Sequence, residues 1–144
     1  LKTAAVLTAS IAEVLTRLDP EHGDAYTANA AAYADALSAL DEQYQQSVDA
    51  AQIHTLLFGD RFPFRYLVED YGLDYYAAFS GCSAESEASF ETILFLAQQV
   101  DRLGLPAILQ IESSDGSIAR SIRDATESAD QALLTMDSMQ SAFE

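Results

Sequence analysis

The chain holds one cysteine, seven basic residues and no apolar stretch long enough to cross a bilayer, and each shortage narrows what it can be. A lone Cys82 cannot close an intrachain disulfide, so cysteine usage leaves the redox compartment open. Seven bases against 23 acids give a formal charge of -16, which repels phosphate backbones and anionic surfaces; nucleic acid is not expected as a partner, while cations and basic proteins are. No uninterrupted apolar run approaches the roughly 20 residues of a membrane-spanning helix. His-x-x-x-His, Cys-x-x-Cys, Gly-x-Ser-x-Gly and glycine-rich phosphate loops are all missing, which removes the usual signatures of zinc hydrolases, serine hydrolases and nucleotide binders. There is no initiator Met before Leu1-Lys2-Thr3, and the chain stops at Phe143-Glu144 just after a strand-like run; it reads as a piece of a longer protein.

What is present is a core. Apolar residues make up 49% and aromatics 10% of 144 residues, so one domain able to hide roughly two thirds of its unfolded surface is expected. Residues 1–19 place Leu7, Ile11, Val14 and Leu18 on one helical face, and Asp19-Pro20 ends that helix because the residue before proline is pushed out of the helical region. Asp24 can cap a second helix, in which Tyr26, Ala30, Tyr33, Leu37, Leu40, Tyr44 and Val48 sustain a four-three alternation. A helix over 25–48 is about 35 Å long at 1.5 Å per residue, a spine or a coiled-coil arm.

The pattern then changes. Short apolar runs, Ile53 to Phe58, Tyr75 to Phe79, Ala107 to Ile111 and Ala132 to Met136, alternate with helical segments at 62–71, 89–103 and 117–127. The expected fold is α/β: a four-stranded parallel sheet with flanking helices in 51–144, preceded by a helical segment in 1–50. Gly72 and Gly104, each followed by leucine, fit left-handed helix ends with an apolar contact, and Ser89 fits a helix start with Glu91 in the first turn.

In a parallel sheet the carboxyl ends of all strands share one edge, where open α/β proteins bind their ligands. Here that edge collects Gly59-Asp60, Ser80-Gly81-Cys82, Glu112-Ser113-Ser114 and Asp137-Ser138. Three of the four ends carry an acid. Converging carboxylates need protons or a cation, and a divalent metal is the usual answer; the competing reading is that these acids cap the following helices by accepting backbone amides and need no ligand. Asp137 is the hardest to read as a cap, since nothing after Ser138 shows a helix. His54 opens its strand at the opposite edge and His22 lies in a turn, so both read as structural or solvated. Cys82 reads as an incidental loop thiol or a soft ligand. Arg61 and Arg65, four apart on one helix face, can anchor an anion or pair with Glu69 and nearby acids, and ion pairing is the expected role.

The segment from Phe58 through Gly59, Asp60, Arg61, Phe62, Pro63, Phe64 and Arg65 to Tyr66, then Asp70-Tyr71-Gly72-Leu73 and Glu87-Ala88-Ser89, resembles the C-terminal lobe of zinc- and manganese-binding lipoproteins of bacterial ABC transporters. The resemblance covers nearly the whole chain, with the long helix before residue 50 similar to the one that joins the family's two lobes. It implies a solute-binding protein, not an enzyme, that captures zinc, or next manganese, between two α/β lobes. Such a protein works outside the membrane, in the periplasm or anchored at the cell surface, and delivers its metal to an ABC permease. It also implies ligands: Asp137 matches the family's last one. The family's third falls on Arg61 when Phe64 and Tyr66 are aligned directly, and on Asp60 after a shift of one residue. A guanidinium cannot bind the metal, so Asp60 and Asp137 are the implied ligands here, with the two histidines of the other lobe absent, and two carboxylates alone should hold metal weakly.

Two other classes remain open on the residues alone. One is a magnesium-dependent phosphotransferase or hydrolase of doubly wound fold with Asp60 as nucleophile and Glu112 and Asp137 on the metal, against which Phe62 stands where a second aspartate is wanted. The other is a domain that binds no metal, its acids only capping helices.

Overall fold

The computed structural model describes residues 1–79 and 88–139, in two compact units, Leu1–Gln52 and Ile53–Glu144. The first unit is a helical hairpin of α1 (Lys2–Leu18) and α2 (Gly23–Ala50), joined by one 3₁₀ turn at Pro20–His22. Asp19 ends α1 as its Asp-Pro sequence requires, and its carboxylate then organises the corner: Tyr26 Oη donates to Oδ2 at 2.8 Å and His22 Nδ1 lies 2.9 Å from the same oxygen. Those bonds hold the Asp19 carboxyl below its usual range, the tyrosine bond being the larger cause. The 3₁₀ turn leads directly into α2, so α2 begins at Gly23 and Asp24 sits in its first turn without capping it. The helices approach closely at Gly23, where an added Cβ would come 2.8 Å from Thr16 Cγ2 on α1 and the threonine side chain would have to turn. At 28 residues α2 is about 42 Å long.

The apolar stripe of α1 does not face α2. Small side chains line the groove between the helices, Ala9, Ala12 and Thr16 opposite Thr27, Ala30 and Ala34. Leu7, Ile11, Val14 and Leu18, the face drawn from periodicity, remain 57%, 59%, 43% and 77% exposed. The helix was legible; its packing face was not.

The second unit is the α/β fold expected. Strands β1 (Thr55–Phe58), β2 (Asp74–Ala77), β3 (Ala107–Ile111) and β4 (Ala132–Met136) form one sheet in the order β2-β1-β3-β4, every pair parallel. Helices α3 (Arg65–Tyr71), α4 (Phe90–Leu103) and α5 (Ser117–Asp124) connect them. The strand period of two divides the core. Leu57 and Ile108 enter one cluster with Leu96, Ala97 and Val100 of α4 and Ala119 and Ile122 of α5. Phe58 enters another with Phe62 and Val68, against which Leu109 and Met136 pack.

Helix ends follow the sequence signals. Ser89 Oγ accepts from Thr92 N at 3.1 Å to start α4. Gly72 and Gly104 close α3 and α4 at φ 64° and 60°, and the following leucine amides return to Val68 O and Val100 O at 2.9 and 3.0 Å, the bond of a Schellman end. Strand β1 begins at Thr55 and not Ile53, β2 runs over Asp74–Ala77 and not Tyr75–Phe79, and two helix boundaries of this unit also move. Helix α3 begins at Arg65 and not at 62, because Pro63 holds Phe62 out of helical geometry and the aromatic side chains find better use. Phe62 stacks on Tyr75 at 3.7 Å and meets Phe58 edge-on at 5.3 Å. Tyr66, on the exposed side of α3, is 69% exposed. Helix α5 stops at Asp124 where Thr126 N and Oγ1 both turn back to Arg123 O.

Candidate functional site

The strand order reverses between β1 and β3, the two central strands, so the crevice beyond their carboxyl ends is the ligand position of a doubly wound sheet. The chain crosses it in close register. Gly59 N donates to Leu109 O at 2.8 Å, and an added Cβ on Gly59 would fall 2.5 Å from Ala119 Cα, so only glycine lets α5 approach β1 here.

Asp60 follows at the bottom of this crevice, 5% exposed. Its Oδ1 accepts from Arg61 N at 2.7 Å and its Oδ2 from Ile111 N at 3.3 Å, while its backbone oxygen accepts from Phe79 N at 3.3 Å. Those three bonds fasten the exits of β1, β3 and β2 to one residue. Asp60 therefore caps no helix: α3 starts five residues on, without a side-chain cap. Nor is it placed as a nucleophile, since both oxygens are held by amides in a buried position, which counts against the phosphotransferase reading. Each carboxylate oxygen retains a further lone pair.

Glu112, one residue beyond β3, makes a contact that local sequence could not have disclosed. Its Oε2 accepts from Ser138 N at 2.9 Å and its Oε1 from Ser138 Oγ at 2.7 Å, gripping the residue after Asp137 across 26 positions. The Ser138 amide and hydroxyl hold the Glu112 carboxyl below its usual range, with the Arg61 charge adding to them. The only signal in the sequence was the position itself, an acid and a serine at neighbouring strand exits. Helix α5 is started by other groups: Asp115 Oδ1 accepts from Ser117 N at 2.8 Å, beside Gly116 at φ 70°.

Asp137 is exposed at the exit of the edge strand β4, where Oδ1 accepts from Met139 N at 2.8 Å. The three acids expected on this edge are thus linked in a row, Asp60 to Ile111 at the end of β3, Glu112 next to it, and Glu112 through Ser138 to Asp137. Arg61 Nε stands 3.9 Å from Asp60 Oδ1 with its side chain 41% exposed. Arg65, in contrast, pairs with Glu69 at 2.7 Å, as its spacing suggested. His54 is exposed before β1, on the opposite edge, and His22 is in the other unit. Cys82 and the Ser80-Gly81-Cys82 exit lie outside the described residues. Among the described residues no three His, Cys, Asp or Glu side chains are grouped closely enough to hold a metal.

All of residues 1–144 match the family model for the periplasmic zinc-uptake complex component A, ZnuA. The zinc-binding protein AdcA of Streptococcus pyogenes is 26% identical over 113 residues, which are 78% of this chain and 22% of that protein. The high-affinity zinc uptake system protein ZnuA of Paracoccus denitrificans is 40% identical over 67 residues, 46% of this chain and 20% of that one. Among solved structures, the laminin-binding protein Lmb of Streptococcus agalactiae, described as bifunctional with adhesin and metal-transporting activity, superposes with a TM-score of 0.79 at 25% identity. That superposition takes in 94% of this chain and 51% of Lmb, so the chain spans about half the length of that structure. The fold, the order of its segments and the match along its whole length agree: the chain belongs to the zinc-uptake complex component A family.

Proposed function

We propose that this chain is the C-terminal lobe of a two-lobe solute-binding protein that captures zinc outside the cytoplasmic membrane and hands it to an ABC permease. The observation that carries the proposal is the family match over residues 1–144. The geometry supports it: a carboxylate-lined edge at the switch point of a parallel sheet, presented to whatever stands opposite it. Asp137, exposed, is the proposed direct ligand, and Asp60 is the second acid of the site, set deeper and fastened by amides. Neither is enough alone. Zinc is four-coordinate in most protein sites, and the remaining donors, two histidines in the proposal, come from the other lobe.

Zinc ranks ahead of manganese as cargo because a site of nitrogen and oxygen donors binds zinc more tightly in the ordinary affinity order. The role is capture and release, with no bond made or broken in the cargo, so the protein is not an enzyme. Cell-surface anchoring belongs to the same proposal, as does the permease as partner. Calorimetric titration of the two-lobe protein with zinc and with manganese tests it. Saturable zinc binding, tighter than manganese and weakened at least tenfold in Asp137→Ala, is expected. Zinc affinity indifferent to Asp137→Ala would remove the assignment.

A further inference from the structure

We infer that Arg61 is a built-in counter-cation of the metal edge, one that loosens the hold on a divalent cargo and so sets the affinity at which the cargo can be released. The inference rests on the metal-capture function proposed above and goes beyond it by naming the residue that tunes it. Arg61 directly follows Asp60, and the bond from its own amide to Asp60 Oδ1, 2.7 Å, folds the chain into a hook that starts the arginine side chain at the crevice. Its Nε then stands 3.9 Å from the same oxygen, outside hydrogen-bond range but well inside the range of charge.

The other four arginines of this unit are engaged through their guanidinium groups. Arg65 donates to Glu69 Oε1, Arg102 to Gln99 Oε1, Arg120 to the backbone oxygen of Asp115 and Arg123 to Asp124 Oδ1. The Arg61 head is instead shared as charge. It faces Asp60 and also contributes to holding the Glu112 carboxyl low, although Ser138 does more there. One guanidinium thus stands 3.9 Å from Asp60 and adds the least of the causes that lower Glu112, which in turn grips the residue beside Asp137.

A fixed positive charge in this position has two effects of opposite value. With no cargo it offsets the mutual repulsion of the acids, in a chain of net charge -16. With a divalent cation arriving it repels. For a double and a single charge roughly 8 Å apart, Coulomb's law gives a weakening of about sixfold in the dielectric of bulk water and about tenfold at a dielectric of about 60. A guanidinium suits this use because it stays charged at any physiological pH.

The test is competition titration of zinc on the two-lobe protein at low ionic strength, with circular dichroism showing each variant folded at the assay temperature. Arg61→Gln and Arg61→Met, two neutral replacements, are expected to bind zinc about six- to tenfold more tightly, and Arg61→Lys to remain near the parent. The gain should shrink as salt is added, a response that a purely structural arginine would not give. Unchanged zinc affinity in both neutral variants, with Asp137→Ala still weakening binding, would overturn the role of Arg61 and leave the metal reading standing. No effect from Asp137→Ala either would overturn the metal reading and this inference together.

Discussion

Replacing Gly59 with alanine should damage this fold through a clash with helix backbone. The new Cβ would lie 2.5 Å from Ala119 Cα, 2.8 Å from Ala119 Cβ and 2.9 Å from Ala119 N. Non-bonded carbons rest at about 3.5–4.0 Å, so roughly 1 Å of separation must be found. No rotamer change can supply it, because the obstacle is helix backbone. Helix α5 would have to move away from β1, and α5 carries Ala119 and Ile122, both with no exposed surface, into the core cluster of Leu57, Leu96, Val100 and Ile108. Overpacking of this kind costs about 1–3 kcal/mol, and the rigidity of the neighbour places Gly59→Ala at about 3 kcal/mol. Urea unfolding followed by circular dichroism reads it directly as a lowered midpoint at unchanged slope. A midpoint equivalent to less than about 0.5 kcal/mol of loss would show that α5 is not seated on the β1 exit as described.

Other outcomes follow from the same structure. Gly104→Ala meets no atom within 4 Å, so its cost is conformational alone, the left-handed φ of 60°; about 1 kcal/mol is expected by thermal unfolding, and a neutral result would refute the helix ending. Glu112 is lowered in the folded state from an ordinary value of 4.5, so the stability it contributes is present above 4.5 and lost as pH falls through its lower folded value. Unfolding midpoints of the parent and Glu112→Gln should therefore differ at neutral pH and converge in acid below that window; a gap that persists there would mean the glutamate acts other than through its ionised grip on Ser138.

What could be read from the sequence and what could not divide along one physical line. Features set by a few neighbouring residues were legible: strands Ala107–Ile111 and Ala132–Met136 to the residue, the left-handed glycines at 72 and 104, the Ser89 cap. Features set by tertiary choice were not. Periodicity gave α1 an apolar face but could not tell that α2 would take the alanine side instead. Phe62 was placed at the start of a helix over 62–71, whereas Pro63 and the flat stack on Tyr75 keep it in the loop. Asp24 had the right residue type for a cap but the wrong neighbour, since the 3₁₀ turn had already started the helix.

The candidate site shows the same division. Acids at Asp60, Glu112 and Asp137 could be gathered on one edge from strand order alone, because a parallel sheet fixes where its carboxyl ends lie. Their separate roles depend on partners far along the chain: Ile111 for Asp60, 51 positions away, and Ser138 for Glu112. Those bonds leave Asp60 deep and fastened and Asp137 exposed, an ordering that no spacing in the sequence contained.

In the proposed function, Asp137 binds zinc in a two-lobe protein of which this chain is one lobe. The most direct measurement is a crystal structure of that two-lobe protein grown with zinc, with the metal located by anomalous scattering at its absorption edge. A zinc ion is expected beyond the carboxyl edge of the sheet, with an Asp137 carboxylate oxygen about 2.0–2.2 Å from it. Zinc bound away from that edge, or seated there with Asp137 still turned to the Met139 amide and no oxygen on the metal, would contradict it.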